Sequence, residues 1–140
     1  MALTLIFTLG TETYGLEITA IQEVIEDPSL YYVPRAEGVL TGAINFHGQI
    51  LAVIDLPKLL GFSEEERDHR QVVLTPEFKS LVLTVSSIQR IVKLDLTALQ
   101  PLPDRTKLSA VRGVADLGET MINLLDTEEV INKLENNYDE

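Results

Sequence analysis

The stretch Leu16-Glu17-Ile18-Thr19-Ala20-Ile21-Gln22-Glu23-Val24-Ile25 is echoed by Leu83-Thr84-Val85-Ser86-Ser87-Ile88-Gln89-Arg90-Ile91-Val92, at an offset of 67 residues. The apolar positions coincide and the Ile-Gln pair recurs. Working outward, the correspondence holds: Val33-Pro34 answers to Leu102-Pro103 at an offset of 69, and Gly42 to Gly113 and Asp55 to Asp126 at 71. The span from Gly to Asp is 13 residues in each half, and each Asp is followed at the same places by an apolar pair, Leu59-Leu60 and Val130-Ile131. One such match is chance; an ordered series at nearly constant offset is a duplicated unit of about five strands.

The strands themselves are read from short runs rich in Val, Ile, Leu, Thr and Phe, separated by Gly, Pro, Asp and Ser. They fall at 3–9, 14–18, 22–25, 43–46, 50–54, 71–74, 81–85, 89–94, 112–115 and 121–125. Their length and partial alternation predict an all-β chain with helix confined to short pieces. Gly42 and Gly113 lie beside strand runs, where a missing Cβ permits a bulge or a close backbone approach. Gly48 and Gly118 fall between two runs, where a hairpin needs positive φ. Asp55 and Asp126 precede short apolar stretches as helix N-caps do, and Asp126-x-x-Glu129 resembles a capping box. The repeat divides the chain into a unit of about 1–66 and one of about 67–140. Neither buries enough apolar area alone, so the two are expected to pack around a shared interface as a single domain. The charged stretch 63–70 is expected to be a solvated connector, and the tail 136–140 to fray.

Composition narrows the chemistry. The 140 residues are 45% hydrophobic and 24% charged, as in ordinary globular chains. The net charge of −11 repels phosphate backbones and anionic lipid heads, so nucleic acid and bare membrane are poor partners. With no cysteine there is no disulfide, thiol nucleophile or thiolate metal site. The apolar start 1–7 reads as a strand rather than a leader, no run reaches membrane-span length, and the chain is taken as cytoplasmic. His47 and His69 are 22 positions apart and form no metal-binding spacing. No nucleophile elbow, P-loop or dinucleotide fingerprint occurs. The expectation is no catalysis, no cofactor and no metal. What remains is a binding module, in which two small barrels joined in one chain leave a groove and several edges for protein partners.

The residues also carry a resemblance. Phe7-Thr8-Leu9-Gly10, Tyr14-Gly15-Leu16-Glu17-Ile18 and Ile21-Gln22-Glu23-Val24 resemble the opening of CheW-like domains. So do Val33-Pro34-x-Ala36 and Gly42-x-Ile44-Asn45-Phe46-His47-Gly48-x-Ile50-x-x-Val53-Ile54-Asp55-Leu56. Val111-Arg112-Gly113-Val114-Ala115 and Met121-Ile122-x-Leu124-Leu125-Asp126 are similar to the family's second half, and the likeness runs from about residue 3 to residue 134. The resemblance implies two intertwined five-stranded β-barrels with short helical turns. It implies a non-catalytic adaptor of chemosensory arrays, coupling the regulatory domain of a CheA-type histidine kinase to the cytoplasmic tips of chemoreceptors. Carried over residue by residue, the receptor-facing groove falls at Ile18, Ile21, Glu23, Asn45, His47 and Val85. For Ile18, Ile21 and Val85, plain barrel core is an equal reading. One departure stands out: the family has Asn-x-Arg-Gly where this chain has Asn45-Phe46-His47-Gly48, and histidine lacks the permanent charge and donor fork of arginine. Two alternatives stay open. One is a CheW-like scaffold in a different chemosensory-like pathway, with another receptor partner. The other is a small-barrel ligand-binding or enzyme subunit using His47.

Overall fold

The computed structural model describes residues 1–33, 38–101 and 110–138. Each of the ten apolar runs corresponds to one strand, with 14–18 and 81–85 overrunning theirs by a residue at one or both ends: β1 (Ala2–Leu9), β2 (Glu12–Glu17), β3 (Ile21–Glu26), β4 (Leu40–Phe46), β5 (Gln49–Asp55), β6 (Arg70–Leu74), β7 (Val82–Thr84), β8 (Ser87–Leu94), β9 (Val111–Asp116) and β10 (Met121–Leu125). Helix α1 (Leu56–Leu59) follows β5 and α2 (Thr127–Tyr138) follows β10, with single helical turns at Ile18–Ala20, Pro76–Phe78 and Leu96–Ala98.

The strands form two five-stranded sheets, ordered β8-β1-β2-β10-β9 and β3-β6-β7-β5-β4. Numbering the strands of each repeat unit one to five, both sheets read 3-1-2-5-4. Strands 1 and 2 come from one unit, and 3, 4 and 5 from the other. The halves have therefore exchanged their first two strands. The division at 66/67 marks the repeat in sequence but not the sheets in space, and neither barrel is built from one contiguous half. Parallel pairs, β2 with β10 and β5 with β7, stitch the units together.

Each sheet rolls up the same way. Chain continuing past β3 reaches the far edge, where Tyr31 bridges Ala43 of β4 through two hydrogen bonds of 2.7 and 3.0 Å. Its counterpart Gln100 bridges Val114 of β9 at 2.8 and 2.9 Å. Here lies the reason for Gly42: a Cβ there would sit 2.6 Å from the Tyr31 carbonyl oxygen, closer than any side chain tolerates. The ladder also shifts register between Leu40 and Gly42, as the predicted bulge requires. Pro34, Ala36, Leu102 and Pro103 lie outside the described residues.

Among the described residues, three apolar clusters hold the fold. Ile44, Leu51, Val53, Val73 and Val82 fill one barrel, and Ile6, Leu94, Ala115 and Ile122 the other. The largest lies between the barrels and includes Leu5, Phe7, Leu16, Ile54, Val72, Leu74, Leu83 and Leu125. Central strands are thus buried on both faces, with alternate residues in a barrel and in the shared interface. That is why β1, β6 and β10 read as nearly continuous apolar runs rather than clean alternation. Both caps form as expected: Lys58 N donates to Asp55 Oδ1 at 3.4 Å and Glu129 N to Asp126 Oδ1 at 3.2 Å.

Of the tail 136–140, residues 136–138 are the last of the 12-residue α2, whose Val130 and Leu134 lie in the shared core, and 139–140 lie outside the described residues. One expectation is corrected. The connector 63–70 is not merely solvated. Asp68, with its side chain only 6% exposed, accepts hydrogen bonds from Ile88 N (2.6 Å), Arg70 N (2.9 Å), Arg70 Nε (3.0 Å) and Arg70 Nη2 (3.0 Å). Burial alone would raise this carboxyl, but the Arg70 guanidinium and the two backbone donors outweigh it and bring its pKa down to about 2. His69, by contrast, is exposed as expected.

Candidate functional site

Strands β4 and β5 are joined by two residues, His47 (φ 51°) and Gly48 (φ 86°), both left-handed. That is the backbone of a tight hairpin whose twist matches its strands. Asn45 Oδ1 accepts from Gly48 N at 2.9 Å and so braces the turn. The half-buried Phe46 ring packs on the barrel interior, with the His47 ring 4.3 Å from it. A non-glycine residue at positive φ is thus held in place from two sides.

Across from this turn is Glu23 on β3. The β3–β6 ladder skips a residue between Ile21 and Glu23, a bulge that re-aims the following side chains. Glu23 Oε1 stands 3.7 Å from His47 Nε2, with both side chains well exposed (49% and 75%). Strands β3 and β4 are the two edges of their sheet, so this pair spans the seam of the barrel. In such exposure an ion pair adds little stability; what it supplies is a polar, adjustable surface.

Of the six residues assigned to the groove, Glu23, Asn45 and His47 come together at the seam. Ile18 and Ile21 are half-buried against the shared core and offer only their outer atoms. Val85 is fully buried in that core, 0% exposed, and presents no surface to a partner. It is the repeat counterpart of Ile18, and the reading of plain core is the one the packing supports. Ile50 was missed: it pairs directly with Asn45 across the hairpin and is 68% exposed. The signal was present in the alternation of 50–54. Leu51 and Val53 point into the barrel, while Ile50, Ala52 and Ile54 point out. Only Ile54 is then covered by the second sheet. The seam therefore offers an acid, an amide, an imidazole and an exposed aliphatic side chain, a combination suited to a protein surface. Among the described residues no three His, Asp or Glu side chains gather as a metal set would require.

Residues 3–135 match the family profile described as CheW-like domain. The chain is 28% identical over 136 residues to the Chemotaxis protein CheW of Klebsiella aerogenes, covering 94% of this chain and 82% of that protein. It is also 28% identical over 129 residues to the Chemotaxis protein CheW of Rhizobium meliloti, covering 89% and 83%. Among solved structures, the scaffolding protein TtCheW from Thermoanaerobacter tengcongensis superimposes with a TM-score of 0.78 at 26% identity, over 89% of this chain and 88% of that one.

Proposed function

The chain belongs to the CheW-like domain family, and on that premise we propose that it is a chemotaxis coupling adaptor of the cytoplasm, holding the regulatory domain of a CheA-type histidine kinase and the cytoplasmic tip of a chemoreceptor at once. The observation that carries this reading is the extent of the match, which runs through both barrels rather than one. An adaptor of this kind performs no bond chemistry. It transmits signal by fixing the relative placement of its partners, which needs a stiff body with separate docking faces.

The architecture suits that task. Exchange of strands between the units makes each barrel depend on the other, so the faces they carry move as one. The receptor side is assigned to the seam, where Glu23, Asn45, His47 and Ile50 are exposed. The kinase is assigned to an exposed, backbone-rich barrel face away from it. With a net charge of −11, long-range attraction to another acidic protein contributes little. Apolar contact and main-chain pairing carry the complex instead.

His47 favours one refinement. An imidazole at a turn where the family carries arginine points to a receptor tip adapted to it, and so to a specialised chemosensory pathway. Titration calorimetry of the full chain against the kinase regulatory domain, at moderate and high salt, tests the proposal. Binding that survives salt is expected; no binding to any CheA-type kinase of the same genome overturns it.

A further inference from the structure

Nothing in the pairing of the two repeat units requires them to belong to one chain. Among the described residues, the ladders β1–β8, β2–β10, β3–β6 and β5–β7 run between the units. The ladders β1–β2, β4–β5, β6–β7 and β9–β10 run within one. The shared core is equally mixed: Leu5, Phe7, Leu16 and Ile54 come from the first unit, and Val72, Leu74, Leu83 and Leu125 from the second. All of these contacts are non-covalent, and the connector is what makes the two units one molecule.

The two ends of the connector are fixed to different units. Phe62 N donates to Pro57 O at 2.8 Å and its ring stands edge-on to Tyr14 with centroids 6.2 Å apart, all within the first unit. Asp68 N donates to Val85 O at 2.9 Å, and the Asp68 carboxylate holds Ile88 and Arg70, all within the second. Two bonds cross between the units: Arg67 Nε to Asp55 Oδ1 at 3.0 Å, and Asp27 N to His69 O at 2.9 Å. Both can form with a second copy as well as within one chain. Between these ends lies Ser63-Glu64-Glu65-Glu66, exposed at every position. Its bend is held by Arg67 Nη1, which donates to the carbonyls of Glu64 and Glu66 at 2.8 and 2.7 Å, and by the Glu64 side chain lying over Gly10. Straightened, the chain from Phe62 to Arg67 spans about 17 Å, enough to leave one pair of barrels and enter another beside it.

We propose that the chain has a second folded form, a reciprocal dimer in which the first unit of each copy builds its barrels with the second unit of the other, and residues 63–66 are the hinge. Both forms contain the same ladders and the same core. They differ in the bend at 63–66 and in the effective concentration that a short tether gives a chain for its own second half. The monomer therefore prevails when dilute, and the dimer gains as concentration rises or as the bend is shortened. The dimer displays the Glu23–His47 seam twice and is bivalent toward whatever docks there, so the inference does not depend on which partner that is.

The absence of cysteine makes an engineered disulfide a clear reporter. Leu3 and Lys93 face each other across the β1–β8 ladder, one on each unit, and both are exposed. Leu3→Cys combined with Lys93→Cys closes a bond within one chain in the monomer, but joins two chains in the exchanged dimer. The pair is introduced into the chain with its connector intact and into one lacking Glu64, Glu65 and Glu66. Each is refolded from urea at micromolar to millimolar concentration, then oxidised and run on a denaturing gel without reductant. Expected is a covalent dimer whose share rises at least tenfold across that range and which predominates in the shortened chain. Single-cysteine chains, Leu3→Cys and Lys93→Cys, set the background of random coupling. A dimer band no stronger than that background in the intact chain at every concentration overturns the proposal, whether or not the shortened chain folds. So does a dimer seen in sedimentation whose chains separate on the gel, since that is association of intact monomers.

Discussion

Replacing Asp68 by asparagine should both destabilise the protein and remove a defined part of its acid sensitivity. The carboxylate accepts four hydrogen bonds, two from the Arg70 side chain and one each from Arg70 N and Ile88 N, and so ties the connector to β6 and β8. In the folded state it stays ionised down to about pH 2, whereas in the unfolded chain it takes up its proton near the ordinary 3.8. A depressed carboxyl pKa contributes stability that is fully present above the unfolded value and is lost as pH falls through the folded one. The separation corresponds to about 2 kcal/mol, lost between about pH 5 and about pH 2. Asparagine keeps one acceptor oxygen but loses the charge and turns a donor toward groups that are themselves donors. The expected cost at neutral pH is about 3 kcal/mol. Urea unfolding followed by far-ultraviolet circular dichroism, for both proteins in steps from about pH 7 to about pH 3, reads both quantities. The wild type should lose stability more steeply on acidification, and the curves should converge in acid. Parallel curves, or a neutral-pH difference below about 0.5 kcal/mol, would refute the assignment of Asp68 as the clasp of the connector.

Gly42→Ala should cost about 2 kcal/mol, because its Cβ meets the Tyr31 carbonyl at 2.6 Å, while Gly113→Ala, with its nearest neighbour at 3.1 Å, should cost clearly less in the same unfolding assay. Fragments 1–66 and 67–140 should each lack protected amides in hydrogen exchange, since each sheet needs strands from both. Mixing them should restore protection; a cooperatively folded single fragment would contradict the exchange of strands. His47→Arg should tighten binding to a conventional chemoreceptor-tip fragment by about 1 kcal/mol, roughly fivefold, and leave kinase binding unchanged in parallel calorimetric titrations.

Much of this fold was legible because its punctuation repeats. Asp55 and Asp126 were readable as caps, and Gly42 as a close approach, since each is a local steric or hydrogen-bonding requirement that only certain residues meet. Which strand pairs with which is not local. The apolar runs at 3–9 and 71–74 announce strands buried on both faces but not the unit that covers them, so the exchange of strands appears only in the pairing. The connector misled for a related reason. Arg67, Asp68 and Arg70 look like a solvated charge run, yet each is satisfied within the fold, by Asp55, by Ile88 and by Asp68 itself. At the seam, Glu23 and His47 were expected together because the resemblance supplied their common groove, and they stand 3.7 Å apart. Val85 followed from the same resemblance but lies in the core, where its burial depends on the second barrel.

The most direct measurement is of simultaneous binding. The full chain, the regulatory domain of the CheA-type kinase and a receptor-tip fragment, mixed at concentrations above their separate dissociation constants, would be analysed by sedimentation velocity. The account predicts a boundary containing all three components, sedimenting faster than either pairwise complex. Two pairwise complexes that exclude each other, or a chain that binds neither partner, would contradict it.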